Sequence, residues 1–65
     1  MPSSVIRDWT YDSDAQRLRI TFTLGEVYDY EAVPPEIDQG LRDAQSKGRF
    51  FSRHIRDHFV YRRVT

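Results

Sequence analysis

The sequence predicts an α+β domain: a three-stranded antiparallel β-meander followed by two helices packed on the sheet. Three observations predict it. Leu18, Ile20, Phe22 and Leu24 alternate with Arg17, Arg19, Thr21 and Thr23, the period-two pattern of a strand with one buried and one wet face. Pro34-Pro35 punctuates the chain, and proline suits the first helical turn, where its missing N–H has no helical partner to lose. Beyond it, apolar residues recur at helical spacing, first Ile37, Leu41 and Ala44, then Phe51, Ile55 and Phe59.

Each element follows in order. Val5 to Tyr11 is rich in β-branched and aromatic residues and reads as the first strand. Asp12-Ser13-Asp14-Ala15-Gln16 is a turn, because short polar side chains bond nearby backbone N–H groups. The alternating run from Arg17 to Leu24 is the second strand, and Gly25 supplies the turn out of it. Glu26 to Val33 is the third, with Tyr28, Tyr30 and Ala32 on one face and Val27, Asp29, Glu31 and Val33 on the other. In the first helix, Glu36 and Asp38 sit where the helix dipole favours acids. Gly40 weakens that helix by about 1 kcal/mol but permits a close approach to the sheet. Ser46-Lys47-Gly48 breaks the helical pattern, and the second helix is expected to end near His58 or Phe59. Val60 to Val64 reads as a short edge strand or an extended tail.

Sixty-five residues make a single domain, residues 1–65. So small a chain buries only about 60% of the surface it exposes when unfolded, so its core must be concentrated in its aromatics, which make up 14% of the residues. Cysteine is absent, which excludes a disulfide scaffold and a thiolate metal site. No apolar run is long enough to span a membrane, and Met1-Pro2-Ser3-Ser4 opens a polar stretch unlike a signal peptide, so a cytoplasmic location is expected. The formal net charge of zero conceals an asymmetry. Residues 1–45 hold four arginines against nine acids, and residues 46–65 hold six cations against Asp57 alone.

That basic segment carries the strongest candidate site. On a wheel of about 100° per residue with Phe51 at zero, Arg56, Arg49 and Arg53 fall near 140°, 160° and 200°, opposite the apolar stripe. Arginine's planar fork bonds phosphate bidentately, so the three form a candidate phosphate-tracking face, with Lys47, Arg62 and Arg63 in support. An ordinary solvated helix face is the competing reading. Tyr28 and Tyr30 share a strand face and could stack bases if exposed, but their alternation with Asp29 and Glu31 favours buried rings. Ser46-Lys47-Gly48 lacks the glycine spacing of a P-loop and reads as a helix connection. His54 and His58 are spaced i, i+4 but lack the further ligands that zinc needs, so no metal and no cofactor are expected. Ser52, His54 and Asp57 scatter around one helix and make no triad.

The assembled pattern resembles the KTSC domain. The residues that carry the resemblance are Ser3-Ser4-Val5-Ile6, Tyr11-Asp12, Leu18-Arg19-Ile20-Thr21-Phe22, Tyr28-Asp29-Tyr30, Val33-Pro34, Ala44-Gln45-Ser46-Lys47-Gly48-Arg49-Phe50-Phe51 and Ile55. The family is named for the C-terminal extension of some lysyl-tRNA synthetases and also occurs as a stand-alone bacterial or phage protein. The Y-x-Y pair and the A-x-S-x-G-x-[YF]-F segment are its specific parts, and Ser52 departs from the asparagine expected after the aromatic pair. The resemblance implies structural roles for Tyr28, Tyr30, Ser46, Gly48, Phe50, Phe51 and Ile55, and association with a synthetase suggests RNA binding.

The expectation is therefore a non-enzymatic module, a monomer or weak dimer, that binds RNA, tRNA or another nucleic acid through its basic helix. The alternative is a protein-interaction or regulatory module for an acidic partner, with Trp9 or Phe50 as an exposed anchor.

Overall fold

Asp12 closes the first hairpin by accepting hydrogen bonds from the N–H groups of Asp14 (3.1 Å) and Ala15 (3.3 Å). In the computed structural model, which describes residues 6–65, strand β1 (Ile6–Asp12) pairs antiparallel with β2 (Arg17–Phe22). Val5, predicted to open this strand, lies outside the described residues, as do Ser3 and Ser4. β2 pairs with β3 (Val27–Tyr30), and β3 pairs with β4 (Tyr61–Arg63), all antiparallel, in the order β1-β2-β3-β4. The basic tail is thus a fourth strand, the edge-strand alternative of the sequence reading.

Two strands are shorter than predicted, each for a local reason. Leu24 was expected on the buried face of the second strand. Instead the Gly25 N–H bonds the Phe22 carbonyl at 2.8 Å with Gly25 at φ +94°, so β2 stops at Phe22 and Leu24 is 89% exposed in the turn. The third strand was expected to run to Val33. It ends at Tyr30 because Ala32 adopts a left-handed conformation (φ +56°), which reverses the side-chain alternation. Ala32 is exposed, Val33 turns into the core, and the Val33 N–H bonds the Gln16 carbonyl at 2.8 Å.

Helix α1 (Pro35–Asp43) begins on proline with Glu36 and Asp38 in its first turn. Its Leu41 is fully buried against Leu18, Ile20 and Val33 in the core, and Ile37 packs at the edge. The close approach predicted at Gly40 is to the second helix rather than to the sheet. A Cβ there would lie 2.6 Å from Phe50 Cζ.

The second helical segment is a four-residue helix α2 (Lys47–Phe50) that widens directly into a π-helical turn over Phe51–Ile55, where the Arg56 N–H bonds the Phe51 carbonyl at 2.8 Å. Ser46 caps α2, its hydroxyl accepting from the Arg49 N–H at 3.2 Å. Phe51 and Ile55 are buried, as expected. The segment ends at Ile55, short of the predicted His58 or Phe59, because Arg56 is extended and Asp57 is left-handed (φ +65°).

Candidate nucleic-acid interface

The inward face of the sheet presents Trp9, Tyr11, Leu18, Ile20, Tyr28 and Tyr30 to the helices. The Tyr11 hydroxyl donates to the Val33 carbonyl at 2.5 Å, and burial followed by the Asp38, Glu36 and Asp12 carboxylates pushes that phenol's pKa up. The Trp9 indole N–H donates to Asp38 Oδ1 at 3.1 Å, and Arg42 Nε donates to the other oxygen at 3.2 Å, so Asp38 ties sheet to helix. Trp9 is half-buried in this contact and Phe50 is half-buried between Gly40 and His54, so each leaves only part of its ring exposed.

The outward face of the sheet is charged. Arg19 forks onto Asp29, with Nε to Oδ1 at 2.7 Å and an Nη to Oδ2 at 3.0 Å, and Arg62 stands opposite Asp29 in the next strand. Arg17 Nε reaches Glu31 at 3.2 Å. Asp29 is only 1% exposed. The Arg19 hydrogen bond holds its carboxyl below the usual carboxylate range against the opposing effect of burial. Sequence reasoning took Asp29 only as a wet-face acid. The signal that could have found the pair is register, since pairing Leu18 with Tyr30 sets Arg19 opposite Asp29.

The six predicted phosphate-binding residues do not form one surface. Arg49 and Arg53 meet as predicted, lining a groove of about 250 Å³ with Gln45, Ser46, Phe50 and His54 and with no acid in its walls. Arg56 was placed on the same face by the helical wheel. The widened turn and early helix end invalidate that wheel, and Arg56 lines a different pocket with Phe22, Tyr28 and Tyr61. Lys47 donates from Nζ to the carbonyls of Arg42 (2.9 Å) and Ala44 (2.5 Å) at the end of α1 and lies 6.0 Å from the centre of the Trp9 ring. Arg62 belongs to the outward face, and Arg63 approaches Glu26 at 3.7 Å. Among the described residues, Arg49, Arg53 and Arg56 form no ion pair.

Tyr28 and Tyr30 lie inward as expected, Tyr30 at 4% exposure and Tyr28 half-buried. Burial first, then the neighbouring Tyr61 and Tyr28, pushes the Tyr30 pKa up to about 12. Gly48 is buried between the helices, and Ser52 is exposed. Ser52 and His54 are exposed in the π-helical turn, with Asp57 beyond it. No cluster of three or more metal-ligating side chains occurs among the described residues. No helix among them is long and apolar enough to cross a membrane.

The fold and its sequence signature agree with one family. Residues 2–59 match the sequence profile of the KTSC domain. This chain belongs to the KTSC domain family. The crystal structure of a KTSC domain protein from Yersinia pestis superposes with a TM-score of 0.89 at 38% identity, covering 100% of this chain and 92% of that one. An uncharacterized protein of Stutzerimonas stutzeri is 42% identical over 65 residues, covering 98% of this chain and 92% of its own length. A lysine–tRNA ligase of Nostoc punctiforme is 37% identical over 62 residues, which are 95% of this chain and 11% of the ligase. The KTSC domain thus occurs both at nearly full length in small proteins and as a minor part of a large ligase, whose activity belongs to the whole enzyme.

Proposed function

We propose that this KTSC domain is a non-catalytic binding module for RNA or another nucleic acid. The observation that carries the reading is how the charges pair. Three of the four ion pairs among the described residues lie in the acidic body, Arg17 with Glu31, Arg19 with Asp29 and Arg42 with Asp38, so that body largely neutralises its own cations. Of the basic segment's cations, Arg63 alone forms an ion pair with the body among the described residues, to Glu26. Arg49 and Arg53 keep their charge beside an acid-free groove, where phosphate contacts would set affinity and position without reading sequence. The ligase relatives supply a setting in which RNA is present. An acidic protein partner could use the same arginines, with only the part-exposed rings of Trp9 and Phe50 as anchors.

The test is titration of the labelled domain with single-stranded RNA, tRNA and duplex DNA at low and moderate salt, beside an Arg49→Glu, Arg53→Glu double variant whose fold is checked by circular dichroism. Salt-sensitive binding that the variant loses is the expected result. Absence of binding at low salt would sink the reading.

A further inference from the structure

We infer that the pocket between β3, β4 and the π-helical turn is a binding site for one unpaired nucleobase of a single-stranded nucleic acid, with Arg56 placed to contact its phosphate. Five rings build it in a closed circuit of neighbours. Centroid separations are 5.5 Å from Phe22 to Tyr28, 5.4 Å from Tyr28 to Tyr61, 5.6 Å from Tyr61 to Tyr30, 5.9 Å from Tyr30 to Phe51 and 5.3 Å from Phe51 back to Phe22. Phe51 and Tyr30 are buried and form the floor, while Tyr61 is 54% exposed and offers a ring face. The space measures about 290 Å³, at the small end of the roughly 300–1,000 Å³ of small-molecule sites, which fits a single ring system and little more.

The polar groups of the pocket favour a base over other flat or cationic occupants. The hydroxyls of Tyr28, Tyr30 and Tyr61 make no hydrogen bond to protein among the described residues, and no buried polar side-chain atom there lacks a partner, so the hydroxyls of Tyr28 and Tyr30 touch solvent, as exposed Tyr61 does. With Glu26 and Asp57 they supply donors and acceptors for the edge of a base. Against a cation, Arg56 stands in the wall beside Asp57, and Arg63 already approaches Glu26. Aromatic platforms beside a cation are how single strands are held, the base on a ring and the backbone on the charge. Arg49 and Arg53 lie on α2 and the π-helical turn and line the acid-free groove, and Arg56 directly follows that turn and lines the pocket.

The choice of ligand rests on the nucleic-acid reading above, but the two sites share no residue and can fail separately. Adenosine monophosphate and ribose 5-phosphate are titrated into isotope-labelled protein and followed by NMR. The expected result is that the nucleotide moves the Tyr28 and Tyr61 ring resonances and the sugar phosphate does not. A short oligoadenylate is then bound to the wild type and to Tyr61→Leu, with Arg56→Ala as a second variant should Tyr61→Leu fail to fold. Each is expected to weaken binding, Tyr61→Leu by about 5- to 100-fold. Equal responses to nucleotide and sugar phosphate, or a stronger response to a trimethylammonium compound, overturn the base pocket. If the oligonucleotide then still depends on Arg49 and Arg53, the polyanion reading survives alone. A nucleotide response without that dependence leaves the pocket standing and removes the groove.

Discussion

Gly40 of α1 and Phe50 of α2 approach so closely that a Cβ on Gly40 would sit 2.6 Å from Phe50 Cζ and 2.8 Å from Cε2. The His54 imidazole lies 4.6 Å from the ring, so a retreat of Phe50 displaces that contact as well. Gly40→Ala gains about 1 kcal/mol of helix propensity and incurs an overpacking cost of about 1–3 kcal/mol. A net loss of about 1 kcal/mol is expected in urea unfolding. In a Phe50→Ala background the same change should stabilise, since only the propensity remains. Additive effects in the double-mutant cycle would refute the contact.

Ala32 holds φ +56° without being glycine. That conformation costs a residue with a Cβ about 1–2 kcal/mol, of which glycine's greater unfolded-state freedom takes back about 0.5–1 kcal/mol. Ala32→Gly should therefore stabilise by up to about 1 kcal/mol, which raises the melting temperature by about 4–8 °C. A lower melting temperature would show that Ala32 bears no such conformational cost.

The Asp29 carboxyl is held below its ordinary pKa, chiefly by Arg19. Its contribution is complete above the unfolded carboxylate value of about 3.9 and is lost as pH falls through the lower folded value. Asp29→Asn should lower stability at neutral pH and flatten the decline below about pH 4. Thermal melts across pH 2–7, about that span, would show an unchanged acid limb if the pair contributes nothing.

The basic residues should separate by role. Each phosphate contact to a single strand contributes about 0.7 to the slope of log affinity against log salt. Removing Arg49 and Arg53 together should reduce the slope by about 1.4. Lys47→Met should leave the slope nearly unchanged but lower thermal stability, since its ammonium serves the carbonyls of Arg42 and Ala44. Anisotropy titrations at several salt concentrations and melts of the same proteins decide this.

Most of the architecture is legible in short-range pattern. The alternation around Leu18 and Ile20, the Asp12 turn, the proline start and the Ser46 junction all depend on residues close in sequence. What escapes is set by conformations that the pattern does not encode. The left-handed Ala32 reverses one alternation, and the π-helical turn with its early end separates Arg56 from Arg49 and Arg53. The aromatic pocket escapes for another reason. Tyr61 joins Tyr28 and Tyr30 only through pairing with β3 across the whole helical segment, a register that no local signal announces.

That pairing has a kinetic corollary. The β1–β2 and β2–β3 hairpins close over short turns, whereas β4 pairs with β3 across the intervening helices, at a larger loop-closure entropy. Its three residues are all exposed, so it is the strand with least to hold it. Amide exchange should accordingly begin at Tyr61–Arg63 while Leu18 and Ile20 stay protected. The tyrosine-walled pocket thus rests on the edge strand with the least to hold it, and an occupant would act as the latch that holds it shut.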